Sequence, residues 1–162
     1  MRDERVTSTG AAPAVSGAAA GAHAGGYDFY VAGPFFTPGQ VASMERLEAV
    51  LKAHGRSMFR PRMTSDVRVV GPRACYEEDL AAIRASAAVI ANLVDDDPGT
   101  MMEIGFATGR GVPVYGYREG LRDGDSVNLM IVQAVRALFR GPADLDLWLS
   151  AGERRDPEVM QF

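Results

Sequence analysis

The sequence predicts an α/β domain, a doubly wound parallel sheet flanked by helices. Three observations carry this. From residue 27 onward, apolar β-branched runs alternate with stretches of helical periodicity, the pattern of successive strand–helix–strand units. One run, Ala87 to Val94, has almost no polar residue, as expected of a central parallel strand covered on both faces. The 162 residues are 47% hydrophobic and 23% charged, enough for one domain whose core needs neither disulfide nor metal.

Residues 1–26 are rich in Ala, Gly, Ser and Thr and read as a flexible low-complexity tail. They lack the Leu/Ile/Phe-rich segment of a signal peptide, and Asp3 and Glu4 spoil a basic start. The aromatic and β-branched stretch Tyr27 to Ala32 is the first strand, ended by Gly33-Pro34. Thr37 and Pro38 are the cap and first residue of a helix in which Met44, Leu47, Val50 and Leu51 recur at helical spacing. Ser57 to Arg60 is a weak second strand, and 61–72 is a polar, Arg-containing loop. Arg73 to Ser86 is a helix leading into the central strand. Asp95 to Thr100 is a loop, Met101 to Gly109 a helix, and Pro113 to Tyr117 another strand. A charged loop precedes a helix over Asn128 to Leu138, and Asp144 to Leu149 is a last short helix. The whole is a single Rossmann/flavodoxin-like domain over 27–162. In such a sheet, ligands bind beyond the carboxyl ends of the strands, where the loops 33–35, 95–100 and 118–127 converge.

Charge and composition exclude several functions. A net charge of −4 and a pI near 5.2 leave no strong basic field for a nucleic acid. No apolar run approaches the roughly 18 residues needed to span a bilayer. Cys75 is the only cysteine; it has no disulfide partner and no metal-ligand spacing, and it fits a reducing, cytoplasmic setting as an unreactive thiol beside acidic residues. Gly105, Gly109 and Gly111 have the wrong spacing and lie within and after a helix where a dinucleotide fingerprint precedes one, and Gly33-Pro34 lacks the lysine and serine of a phosphate loop. His23 and His54 sit in the tail and near a helix end, away from the acidic residues.

Those acidic residues carry the chemistry. Asp95, Asp96 and Asp97 end the apolar strand, and Glu103 follows within the next helix, flanked by Met101, Met102, Ile104, Gly105 and Phe106. A lone acid in so apolar a stretch costs free energy unless it is paired or functional. Near a helix N-terminus its charged form is favoured, as a nucleophile requires. Composition alone leaves a second reading open, with Asp95–Asp97 a solvated turn and Glu103 a capping acid. Asp79, in Tyr76-Glu77-Glu78-Asp79-Leu80, stands in the same balance between a solvent-facing and a functional role. Tyr30 reads either as core or as site, and the Phe35-Phe36 pair either as core or as a surface for stacking on a flat base. Two carboxyl groups near one sugar suit cleavage of a glycosidic bond, one trapping the anomeric carbon and the other assisting the leaving group.

Four motifs, in order, resemble the nucleoside 2-deoxyribosyltransferase family: Tyr30-Val31-Ala32-Gly33-Pro34-Phe35-Phe36, Tyr76-Glu77-Glu78-Asp79-Leu80, Asp97 with Gly99-Thr100-Met101-Met102-Glu103-Ile104-Gly105-Phe106-Ala107, and Asn128-Leu129-Met130. The resemblance implies a transferase that moves deoxyribose between nucleobases, with catalytic Glu103, Asp79 and Tyr30. Glu103 is then the nucleophile that forms a covalent deoxyribosyl ester, Tyr30 its hydrogen-bond partner, and Asp79 the group that binds and protonates the departing base. Asp97 binds the sugar hydroxyls, and Gly33, Phe35, Gly99 and Thr100 belong to the substrate site. Asn128 reaches the 5′-hydroxyl in a neighbouring subunit's site, which the carboxylate of Phe162 helps complete. The partners implied are nucleosides, nucleobases and further copies of the chain, with no metal or organic cofactor. The Gly33–Phe36 loop departs from the tryptophan-containing loop of some relatives. Thr100 and Ser126 keep open a 5′-monophosphate N-glycosidase that releases base to water, and a third reading is a non-enzymatic module binding a nucleotide-like ligand.

Overall fold

The structure, a computed structural model, describes residues 26–64, 66–153 and 156–162. The expected tail, apart from Gly26, and His23 lie outside the described residues. Strand β1 is Tyr27–Ala32, helix α1 Pro38–Ala53 and strand β2 Met58–Phe59. Two one-turn helices, α2 (Pro61–Thr64) and α3 (Val67–Val70), precede α4 (Pro72–Ala85). Strand β3 (Ser86–Asn92) runs through a 3₁₀ turn at Val94–Asp96 into α5 (Pro98–Gly109). There follow β4 (Val114–Tyr117), β5 (Ser126–Val127), α6 (Leu129–Ala134), β6 (Leu138–Phe139), α7 (Pro142–Ala151) and β7 (Met160–Gln161).

Five strands form a wholly parallel sheet in the order β2-β1-β3-β4-β6, the doubly wound α/β arrangement expected of the chain. The order reverses between β1 and β3, so the loops that follow these strands diverge to opposite faces and open a crevice at their carboxyl ends. Alternation along each strand sorts the core into two layers. Phe29, Val31, Ala88, Ile90, Tyr115 and Tyr117 pack with Met44, Leu47 and Leu51 of α1 and Leu145 and Leu149 of α7. Tyr30, Ala32, Val89 and Ala91 face the other way, against Ala82 and Ile83 of α4 and Ile104 and Ala107 of α5.

Local chemistry fixes the ends of these elements. Thr37 caps α1 in a reciprocal box with Gln40 and with proline in the first turn. The Gln40 carboxamide oxygen also accepts from Phe36 N, and its nitrogen donates to Asp95 Oδ2 at 2.9 Å, tying the loop after β1 to the loop after β3. At Gly33 the backbone passes so close to its neighbours that a Cβ would overlap Met44 Sδ and lie 3.0 Å from Asn92 Cβ.

Three segments differ from the sequence-based expectation. Residues 61–72 are not an open loop: Pro61 starts one helical turn, and Asp66 caps another by accepting from Arg68 N. Such four-residue helices are too short to leave a periodic signature. The helix expected over 128–138 ends at Ala134, because Val135 turns extended. Arg136 N then bonds Val114 O and Gly116 N bonds Ala137 O, so the segment becomes the fifth strand. At its end the chain adds a second sheet, β7 pairing in parallel with β5. Gly33→Ala is expected to destabilise the fold by about 1–3 kcal/mol, the usual range for overpacking a close approach, seen as a lower denaturation midpoint with an unchanged m-value; an unchanged midpoint would show that Met44 moves aside freely.

Candidate active site

Tyr30 is the fourth residue of β1, on the face covered by α4 and α5, and its side chain is fully buried against Phe59, the rings stacked 5.5 Å apart. Its phenol donates to Glu103 Oε1 at 2.5 Å, short even for a charge-assisted bond. The phenol is held far above its ordinary pKa, first by burial and then by the Glu103 charge and hydrogen bond, so it remains a donor at any physiological pH.

Helix α5 begins at Pro98, three residues before the expected start, which changes the electrostatics of Glu103. Asp97 takes the cap position, and Glu103 lies in the second turn, beyond the reach of the helix dipole. Its pKa is therefore not lowered but pushed up to about 7, chiefly by burial and further by the charges of Asp79 and Asp97, while the Tyr30 hydrogen bond pulls it down. Asp79, half-buried on α4, is likewise raised to about 6, by burial and then by Glu78. Two carboxyl groups are thus raised toward neutrality, and the Asp79 charge adds to the rise at Glu103, a perturbation typical of functional sites.

Asp97 Oδ2 accepts from Thr100 N at 2.7 Å and from its hydroxyl at 2.9 Å. Oδ1 has no protein partner among the described residues. Thr100 is buried, its hydroxyl proton given to Asp97. A Cβ at Gly99 would stand 3.1 Å from Asp97 Oδ2, so glycine leaves that carboxylate room. Asp95 and Asp96 adopt left-handed φ angles of 58° and 48°. Such backbone is sparsely populated by residues other than glycine and concentrates at functional sites. A cleft of about 450 Å³ opens beside Asp79, walled by Phe35, Pro61, Met63 and Val67 and edged by Arg62, Asp66, Arg68 and Cys75. Burial and then the carboxylates of Asp79, Glu78 and Asp66 raise the Cys75 thiol, which disfavours a reactive thiolate.

The structure therefore joins Tyr30 to Glu103 directly, couples both electrostatically to Asp79, and sets Phe35 on the cleft that Asp79 lines. Gly33 serves the close approach described above. Asn128 and Phe162 stand apart from this group. Asn128 is exposed, its Oδ1 capping α6 through Met130 N at 2.9 Å, and Phe162 O accepts from Leu129 N at 3.1 Å. His54 pairs with Asp146 on α7. Sequence reasoning places the base pocket on the loops 35–40 and 59–70 without singling out Gln40 or Arg62; the capping spacing Thr37–Gln40 was legible, whereas nothing local marks Arg62. Among the described residues no group of His, Cys, Asp and Glu is arranged to hold a metal ion, and no helix is long and apolar enough to cross a membrane.

The nucleoside 2-deoxyribosyltransferase family model matches residues 29–130, which include all four sequence motifs. Among solved structures, a 2-deoxyribosyltransferase from Bacillus psychrosaccharolyticus is similar at 27% identity and a TM-score of 0.67, over 80% of this chain and 97% of that one. A 2-deoxyribosyltransferase from Leishmania mexicana is 22% identical over 80% of this chain and 89% of that one, at a TM-score of 0.48. A conserved protein from Enterococcus faecalis V583 shares the fold at 17% identity and a TM-score of 0.52, over 85% and 92% of the two chains. Among curated protein sequences, none matches significantly. With well over half of its length under the family model, the chain belongs to the nucleoside 2-deoxyribosyltransferase family.

Proposed function

We propose that the chain transfers 2-deoxyribose from one nucleobase to another through a covalent ester on Glu103. The observation that carries this reading is the 2.5 Å hydrogen bond from the buried Tyr30 phenol to Glu103 Oε1 at the switch point of the sheet. A carboxylate tied at one oxygen has the other fixed in direction, as attack on a single carbon requires. Glu103 bonds to the anomeric carbon as the carbon–nitrogen bond breaks. The electron pair leaves with the base, and Asp79 supplies the proton. The second base then attacks the same carbon, Glu103 departs as carboxylate, and Asp79 takes the proton back. Two inversions give net retention, as in the double-displacement glycosidases. Asp97, with Oδ1 open, holds the sugar hydroxyls, and Phe35 covers the base from the cleft wall. No step needs a metal or organic cofactor.

A homo-oligomer with shared sites is the reading we favour, and an exposed apolar surface supports it. Leu129, Met130, Met160 and Phe162 are exposed around Asn128, an apolar surface of the sort that protein contacts cover. We assign Asn128 to a neighbouring subunit's site. The monophosphate N-glycosidase is disfavoured by one contact: a phosphate would draw on the Thr100 hydroxyl, whose proton is given to Asp97.

Incubation with deoxyinosine and adenine should yield deoxyadenosine only when the acceptor base is present, and Glu103→Ala should lower this rate by more than about a thousandfold. Free base and deoxyribose 5-phosphate from monophosphate donors would overturn the transferase reading, and intact donors throughout would favour a binding module.

The protonation states give a second expectation. Attack requires ionised Glu103, gained as pH rises through about 7, and departure requires protonated Asp79, lost above about 6. The kcat/KM profile is then a bell peaking between these values, its limbs belonging to the coupled pair. Because Glu103 titrates above Asp79, the limb at higher pH follows Glu103, and Tyr30→Phe should move it further up, the hydrogen bond that lowers Glu103 being gone. Asp79→Asn should abolish the bell and leave a single rising limb that follows Glu103, whose pKa falls with loss of the Asp79 charge; a profile flat from pH 5 to 9 would contradict both roles. Thirdly, mixing Glu103→Ala with Asn128→Ala chains should restore activity through hybrid sites. No recovery in demonstrably mixed oligomers would place the whole site within one chain.

A further inference from the structure

The cleft beside Asp79 contains a guanidinium whose position the proposed reaction does not explain. Arg62, on α2, is largely buried, its side chain 13% exposed. Its Nε and Nη2 donate to the two oxygens of Glu48 at 3.1 and 2.9 Å. Glu48 lies on the buried face of α1, its side chain 8% exposed, and Arg60 adds only a long contact of 3.4 Å. An ion pair so placed gains little stability over an apolar pair of similar volume, because both charges give up water. What a two-point fork does provide is a fixed guanidinium plane. One edge of Arg62 is taken by Glu48. The remaining nitrogen, Nη1, has no protein hydrogen-bond partner among the described residues, and Arg62 lines the same cleft as Phe35 and Asp79.

A guanidinium carries donors only. It matches a base edge that presents a carbonyl oxygen and opposes one that presents an amino group, the same discrimination arginine makes between guanine and adenine. We infer that Arg62, oriented by Glu48, selects nucleobases bearing an exocyclic carbonyl at the edge facing it, hypoxanthine or guanine over adenine and thymine or uracil over cytosine. This rests on the deoxyribosyl-transfer reading for its reaction, though not for the binding preference itself. Arg62 acts by contact with the base, and Glu48 is a positioning residue.

The test is a competition. With thymidine as donor and equimolar hypoxanthine and adenine as acceptors, wild-type protein should favour hypoxanthine in kcat/KM by roughly tenfold or more, the range of one good arginine–carbonyl contact. Arg62→Gln, whose amide both donates and accepts, should bring the ratio to within about threefold, mainly by losing hypoxanthine. Arg62→Gln also strands the Glu48 charge, so the neutral double variant Glu48→Gln/Arg62→Gln is measured beside it and should give the same collapsed ratio. Glu48→Gln alone should reduce the ratio while leaving adenine transfer near the wild-type rate, a pattern that general destabilisation does not produce. Calorimetric titration of the two free bases into each protein separates the two proposals. Exchange that shows no preference for hypoxanthine, or a preference untouched by loss of Arg62, overturns the inference and leaves the transferase reading standing. If no donor exchanges its base but hypoxanthine still binds better than adenine in an Arg62-dependent way, the transferase reading fails and the selectivity stands.

Discussion

The buried hydrogen bond between Tyr30 and Glu103 is the contact on which the site depends. Its partners are separated by 73 positions in sequence, so it forms only when β1 and α5 meet across one face of the sheet. Stacking on Phe59 leaves the Tyr30 ring no second position. The phenol also sets the charge of its partner, offsetting part of the burial that raises Glu103. A carboxylate left buried with no donor would simply stay protonated. With the donor, it titrates where a nucleophile is useful.

The reversal of strand order between β1 and β3 makes this meeting possible. It sends the Gly33–Phe36 loop toward α1 and the Asp95–Asp97 loop toward α5, and Gln40 fastens the two loops together through Asp95. Left-handed backbone at Asp95 and Asp96 brings Asp97 to the head of α5, where capping fixes one oxygen and leaves the other open. Strain in that turn is offset by contacts from both flanking helices. Hydrogen bonds thus fix Glu103 and Asp97, while the cleft beside Asp79 is walled by the one-turn helices α2 and α3, held by the Glu48–Arg62 fork and the Asp66 cap.

The sequence alone determined the fold class, the first strand, the capped start of α1 and the central strand, because each is written in local periodicity or in a capping pair. The four short motifs also carried the family and the acids at its site. Tertiary structure decided what locality does not encode. Val135 to Phe139 leave the helix because sheet-edge carbonyl and amide groups at Val114 and Gly116 were waiting for partners. Glu103 is raised, not lowered, in pKa because burial, joined by the charges of Asp79 and Asp97, outweighs the Tyr30 hydrogen bond, and the early start of α5 leaves it in the second turn. Arg62, unremarkable in a polar stretch, lines the cleft beside Asp79 with its guanidinium held by a carboxylate on α1, fourteen positions earlier. Periodicity records which face of an element is buried; it does not record what is buried opposite it, and in this chain that pairing sets both the charge of Glu103 and the lining of the cleft.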